Sequence, residues 1–391
     1  MKLLLTNARI FTAGPAGTLA RGSVLLDGDR IAWVGEGTPP GEADAEDLHG
    51  ALLTPGLVDA HTHPVYVRPR LEEVARRSAG AGYAEIAQAG GGITATVAAT
   101  RQATREELAS IVRERLRAWP AGGATTVEVK TGYDLTQAGE LAAVELLRDL
   151  DGAAGLPRLG VTLLAAHATP PEWSRRRAEY AEAAAGWSAA AAAAGAEFCD
   201  VFCDEGYFSV EESRTVLAAG AAAGLKPRIH ADELARTGGS RLAAELHAVS
   251  ADHLLRITAE DADSLAAAGV VATLAPATAL SLGVRPPVAE LQRAGCTIAL
   301  GSDHNPGTSG ITSMALVVSL AIAGLGLSVD DALAAATAGG AASLGRTDRG
   351  RLEPGLLADL VAWEADHEGA FGWAYGPRAG RVWLGGEELQ L

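Results

Sequence analysis

The segment "LLTPGLVDAHTHP" (52–64) ends an apolar run in two histidines one residue apart. Side chains at i and i+2 of a strand share a face, so His61 and His63 present two imidazoles side by side where that strand stops. Such a pair suits a metal ion and fits an apolar core poorly. Further along, His230 lies in "KPRIHADE" and Asp303 in "CTIALGSD". Three imidazoles and a carboxylate form a donor set for zinc, with divalent iron or manganese as alternatives, and leave room for a water. A metal so held lowers the pKa of water to about 7. The chemistry this set predicts is hydrolysis.

The elements that must position these residues can be read around them. Short strands are predicted at "TTVEVKTG" (125–132), "LGVTLLAAH" (159–167), "AEFCDVFCD" (196–204), "KPRIHADE" (226–233), "AVSADHL" (248–254), "VVATLAP" (270–276) and "CTIALGSD" (296–303). The strand that ends at His61 makes eight. Helical stretches such as "TREELASIVRERLRAW" separate most of them, and a helical insertion is expected near 71–118. Over roughly 55–345 this pattern predicts an α/β fold, a (β/α)8 barrel. An open doubly wound sheet is the alternative, but no glycine-rich phosphate fingerprint follows an early strand, and "AGGGIT" (89–94) lacks the spacing. Barrel enzymes carry their chemistry at the C-terminal strand ends. Six of the nine histidines (His61, His63, His167, His230, His253 and His304) fall there, as do Asp303 and, three residues past His230, Glu233.

Composition excludes several classes. The net charge of -16 argues against nucleic acid, and an anionic substrate needs a local cation against that field. No run reaches the 18 or so apolar residues of a membrane helix, and "MKLLLTNARIF" reads as a first strand in place of a signal peptide. A cytoplasmic protein is expected. Cys199, Cys203 and Cys296 make no disulfide framework, and the first two belong to a buried strand. Alanine is the strongest helix former, so the alanine-rich 172–195 is expected to be one helix. Both ends of the chain, "LLLTNARIFTAG" and "GRVWLGGEEL" among them, are strand-rich.

Together "LLTPGLVDAHTH", "AGGGITATVAATR", "TTVEVKTGYDL", "AAHATPPEW", "IHADEL", "LAAELHAVSADHL" and "SDHNPGTS" resemble the imidazolonepropionase family of the amidohydrolase superfamily, over nearly the whole chain. The resemblance implies a barrel over 55–345 and a small composite β-sandwich built from 1–54 and 346–391. It implies ring opening of 4-imidazolone-5-propionate to N-formimino-L-glutamate in histidine breakdown, by a homodimer with one divalent metal per subunit, zinc before iron. His61, His63, His230 and Asp303 would hold the metal, with Glu233, His253 and Asp303 moving protons. Arg70, Tyr83, Tyr133, His167, Glu233 and Asn305 would contact the small anionic heterocycle, Arg70 facing its carboxylate.

In such barrels a lysine carbamate can bridge two metals. Lys130 is on the second strand, the wrong place for that, so one metal is expected. The chain departs from the family at Ala60 and His304, where cysteine is frequent, and at "PATALSLG" (276–283), where aromatics are usual. Two rival readings are a deaminase of a related heterocycle and a silent binding relative. Ammonia release would mark the first, and the intact set of six site residues argues against the second.

Overall fold

The computed structural model describes residues 2–37, 39, 41–81 and 91–391. Strands β1 (Lys2–Phe11), β2 (Thr18–Asp27), β3 (Arg30–Gly35), β4 (Asp44–Asp47) and β5 (Leu52–Pro55) come first. The barrel strands follow: β6 (Leu57–Asp59), β7 (Ala124–Lys130), β8 (Arg158–Ala166), β9 (Phe198–Cys203), β10 (Lys226–Ala231), β11 (Ser250–His253), β12 (Val271–Leu274) and β13 (Ile298–Leu300). Strands β14 (Leu360–Trp363), β15 (Ala379–Leu384) and β16 (Glu387–Glu388) close the chain.

Strands β6 to β13 form one parallel sheet in sequence order. It closes just past its own ends: Ala60 N donates to Leu300 O (3.1 Å), Asp303 N to His61 O (2.9 Å) and His63 N to His304 O (2.8 Å). The backbone seam of the barrel therefore runs through the His61–His63 segment. Helices pack outside, several started by reciprocal caps in which a Ser or Thr hydroxyl and an acid three residues on bind each other's backbone N–H, as at Thr104/Glu107, Ser209/Glu212 and Thr258/Asp261. The insertion is helical where described, with helices at Leu71–Ser78, Ile93–Gln102 and Arg105–Leu116.

The two chain ends meet in a second sheet, ordered β16-β15-β14-β5-β1-β2-β3 with β4 also paired to β1. Alternation along its strands buries both faces. Phe11, Leu52, Val361, Trp363 and Val382 join the large core with the barrel, while Ile10, Leu53, Leu360, Ala362 and Trp383 share a separate core with Val24, Leu26 and Ile31. Strands from opposite ends of the sheet thus line one apolar core, and the sheet folds over itself.

The expected helix over 172–195 is instead a 3-10 turn (Pro171–Trp173) and two helices, Arg177–Gly186 and Ser188–Ala194. Arg176 leaves the helical region at φ -138°, and a tight Trp187 N to Ala184 O bond separates the two helices after Gly186. Gly195, at φ +103°, stops the second. Among the described residues no helix is long and apolar enough to cross a membrane.

Gly123 joins barrel and terminal sheet at φ +88°, where a Cβ would lie 2.3 Å from Cη2 of Trp363. Gly123→Ala should cost about 2–4 kcal/mol through backbone strain and overpacking together, read as a lowered urea midpoint.

Candidate active site

His61 and His63 follow β6, His230 lies in β10, His253 ends β11 and Asp303 follows β13. All five are buried at the C-terminal mouth of the barrel. His63 Nε2 is 3.0 Å from His61 Nε2 and 3.3 Å from His230 Nε2. Asp303 Oδ1 lies 3.6 Å from His61 Nε2 and 3.4 Å from His63 Nε2. Candidate ligand atoms of His61, His63 and Asp303 lie within 4.8 Å of one another, and so do those of His61, His230 and His253. Three ring nitrogens crowded on one point cannot be satisfied by one shared proton, whereas a cation between them satisfies all three. Both ring nitrogens of buried His253 also lack a hydrogen-bond partner. The cluster is able to hold a metal ion.

The far sides of two imidazoles face carboxylates. His61 Nδ1 is 2.6 Å from Asp252 Oδ2, and His230 Nδ1 is 3.0 Å from Asp200 Oδ2, a close contact off the hydrogen-bond line. A lone pair at that distance would be repelled, which favours a proton on Nδ1 of each ring and an Nε2 lone pair turned inward. Burial, and for His61 also the Lys130 charge, holds His61 and His63 well below the usual imidazole range. Asp303 itself is oriented by Thr278, whose hydroxyl donates to Oδ2 at 2.5 Å and leaves Oδ1 toward the histidines. Thr278 comes from the 276–283 segment, a helix over Pro276–Leu282.

Beneath the imidazoles lies a buried layer of charge. Lys130 Nζ is 2.8 Å from both Glu128 Oε1 and Asp200 Oδ2, and 3.6 Å from Asp252 Oδ2. Arg228 Nη2 is 3.3 Å from Asp252 Oδ2 and 2.8 Å from Ala60 O. All five charged groups are 0–1% exposed. Burial alone would lower the Lys130 pKa, but Asp200 and Glu128 lift it above the ordinary value. Burial likewise opposes ionised Asp252, and Arg228 and Lys130 bring it below the usual carboxylate range.

Above the cluster opens a cleft of about 460 Å³ lined by His63, Arg70, Tyr133, His167, Glu233, His253, Asp303 and Asn305, with Ile93, Phe202, Leu234 and Thr308. Glu233 is 3.8 Å from His253, and burial pushes its carboxyl up to about 7. The Glu233–Ala235 turn is fixed by Asp204, which accepts N–H bonds from Glu233, Leu234 and Ala235 at 2.7–3.0 Å. His167 stacks on His63 at 5.1 Å and binds Gly132 O through Nδ1 at 2.9 Å. Burial lowers its pKa to about 3, so it is neutral and offers Nε2 as an acceptor. Tyr133 packs against His167 at 5.1 Å.

Arg70 precedes the helix Leu71–Ser78 and gives Nε to Glu73 (2.9 Å) and Nη1 to Thr96 (2.6 Å). Asn305 lines the cleft, but its amide binds Asp303 O, the Thr308 hydroxyl and the Gly307 and Thr308 N–H groups, shaping the loop. Tyr83 lies outside the described residues. His304 is buried beside the site, facing the Tyr66 hydroxyl at 2.9 Å. Arg68 is exposed, and Cys199 and Cys203 are buried in β9.

Sequence reasoning missed Glu128, Asp200, Arg228, Asp252 and Thr278. A usable signal was present, because Glu128 and Lys130, and Arg228 and His230, stand two apart on buried strands and so share the inward face.

The barrel, the buried imidazole–aspartate cluster and the acid beside it define a metal-site hydrolase architecture. The sequence profile described as the amidohydrolase family matches residues 66–370. Imidazolonepropionase of Rhodococcus jostii is 40% identical over 388 residues, 98% of this chain and 92% of that protein. Imidazolonepropionase of Streptomyces griseus is 39% identical, over 99% of this chain and 97% of that one. The chain belongs to the imidazolonepropionase family within the amidohydrolases.

Two solved structures share the fold. A mutant of atrazine chlorohydrolase from Arthrobacter aurescens, complexed with zinc and atraton, has a TM-score of 0.74 at 19% identity and covers 99% of this chain and 94% of its own. A 5-methylcytosine deaminase from Klebsiella pneumoniae has a TM-score of 0.75 at 18% identity and covers 100% and 97%.

A carboxyl held near 7 in the folded state but titrating near 4.5 when unfolded makes the fold less stable as pH rises through that window, because the unfolded chain loses the proton first. Metal-free Glu233→Gln should therefore be more stable than the parent at pH 8, by something on the order of 3 kcal/mol. Most of the gap should vanish by pH 5. Thermal melts of both proteins at the two pH values check it.

Proposed function

We propose that this chain is a metal-dependent hydrolase that opens the ring of 4-imidazolone-5-propionate to N-formimino-L-glutamate in histidine degradation. The observation that carries the reading is the pair of overlapping buried groups, His61, His63 and Asp303 and His61, His230 and His253, that share a cleft with Glu233 in a chain of the imidazolonepropionase family. The reading includes a cytoplasmic homodimer with one divalent metal per subunit, zinc in preference to iron, held by His61, His63, His230 and Asp303. When bound, the metal supplies Lewis acidity and brings the pKa of water near 7.

The remaining work belongs to side chains. Asp303 and His253 accept the proton of the attacking water, and the charged His253 then stabilises the oxygen developing on the ring carbonyl. Donors of that kind are worth about 3–4 kcal/mol. Glu233, whose carboxyl burial pushes up to about 7, gives its proton to the departing ring nitrogen. His167 accepts a ring N–H on Nε2, Tyr133 flanks the heterocycle, Tyr83 is a further substrate contact by family resemblance, and Asn305 holds the loop that carries Asp303. Arg70 meets the propionate carboxylate with a charge-assisted bond, a local cation in a chain of net charge -16.

Purified zinc-loaded protein should convert 4-imidazolone-5-propionate to formimino-glutamate, followed by mass spectrometry. A chelator should abolish turnover and added metal restore it. Intact substrate with metal bound would sink the assignment, and ammonia release would move it to a deaminase.

Arg70→Ala should raise KM at least about tenfold with a smaller change in kcat, since it removes a positioning contact, whereas Glu233→Ala or Asp303→Ala should lower kcat about 100-fold or more. An unchanged KM in Arg70→Ala would show that the carboxylate binds elsewhere.

A further inference from the structure

We propose that Lys130 is a positioning residue for the metal centre: its ammonium pins the carboxylates of Asp200 and Asp252 where they hold His230 and His61 in the Nδ1–H tautomer. This deepens the reading of His61 and His230 as ligands and rests on it.

The geometry is specific to single oxygen atoms. Asp200 Oδ2 faces both His230 Nδ1 (3.0 Å) and Lys130 Nζ (2.8 Å). Asp252 Oδ2 faces both His61 Nδ1 (2.6 Å) and Lys130 Nζ (3.6 Å). One ammonium therefore stands behind both imidazole–carboxylate pairs. Arg228 donates to Asp252 Oδ2 at 3.3 Å, closer than Lys130, and the Ser250 hydroxyl binds Asp252 Oδ1, but the other close contacts of Arg228 are to Ala60 O, Ser343 O and Glu128, so Lys130 is the cation that faces both aspartates. Glu128 aims Lys130, taking its ammonium on Oε1 (2.8 Å) and the Thr62 N–H on Oε2 (3.2 Å), and Thr62 stands between His61 and His63.

Charge gives the reason for a lysine. Two buried cations, Lys130 and Arg228, oppose three buried carboxylates, and Asp303 adds a fourth at the mouth. A dication makes the set neutral. Without Lys130 the two aspartates are free to turn toward Arg228, and an imidazole that loses its acceptor can shift its proton from Nδ1 to Nε2, which takes that lone pair out of the metal site. Residues behind metal-bound histidines typically change metal affinity 10- to 100-fold when removed.

The test is long-range proton–nitrogen NMR of metal-free protein labelled at its nine histidines, combined with zinc affinity by competition against a chromophoric chelator. In the parent, His61 and His230 should show the Nδ1–H signature. In Lys130→Met at least one should lose it, and zinc should bind at least about tenfold more weakly. Because Lys130→Met leaves acids buried and can unfold the chain, the paired Glu128→Gln/Lys130→Met variant removes one charge of each sign and should show the same two changes. An Nε2–H tautomer at either histidine in the parent would overturn the proposal. So would a folded variant with both tautomers kept and zinc affinity within about twofold. Failure of the parent to bind zinc at all would instead remove the metal reading, leaving the tautomer result to judge Lys130 alone.

Discussion

Everything at the barrel mouth depends on the contact between buried carboxylates and the outer nitrogens of His61 and His230. Burying an ionised carboxylate is costly unless it is paired and hydrogen-bonded. Here Asp252 and Asp200 are paired on one side with cations and on the other with imidazole N–H groups. That arrangement sets which way each imidazole turns and why strands β7, β9, β10 and β11 carry charge at positions that should be apolar. It also ties the chemistry to the fold, because β6, whose end bears His61 and His63, closes the barrel through backbone bonds made by the same residues.

The loops above are built on a related device. Carboxylates and one amide accept backbone N–H groups that a tight turn leaves unpaired. Asp204 does this for the Glu233 turn, Asp232 for Thr237, Gly238 and Ser240, and Glu140 for Gly132, Asp134 and Leu135. These anchors allow unusual backbone where the strands end. Asp232, His253, Leu254 and Asp303 all have φ between +47° and +73°, a region that non-glycine residues seldom occupy. The strain here is confined to the ends of barrel strands and the turns that directly follow them.

The barrel was legible in the sequence because its strands are short apolar runs that end in polar residues, and because six histidines collect at those ends. His61, His63, His230 and Asp303 could be chosen from type and place alone. Glu233 and His253 stood at the right strand ends, but their roles came through the family resemblance. What lay beneath was hidden. Asp200 sits inside "FCDVFC" and Asp252 inside "SADH", and a single acid in an apolar strand does not say which neighbour will compensate it. That pairing is made across strands, so it needs the register of β9, β10 and β11, which periodicity does not supply. The alanine-rich 172–195 differs for the opposite reason: propensity favours one long helix, and the backbone at Arg176 and the tight turn at Trp187 divide it.

The sheet that joins the two chain ends has a consequence for how the molecule is made. Strand β5, one residue before β6, pairs with β14, and Arg9 binds Glu368, 359 positions away. During synthesis the first barrel strand emerges early, while the partners that secure its leading end appear only with the last few dozen residues. Contacts of such separation are slow to form because loop closure precedes any return from them. The ribosome must therefore pass residue 363 before the His61–His63 segment has its support at both ends. A nascent chain arrested before residue 360 would carry His61, His63, His230 and Asp303 and still lack the clamp that seats the first two.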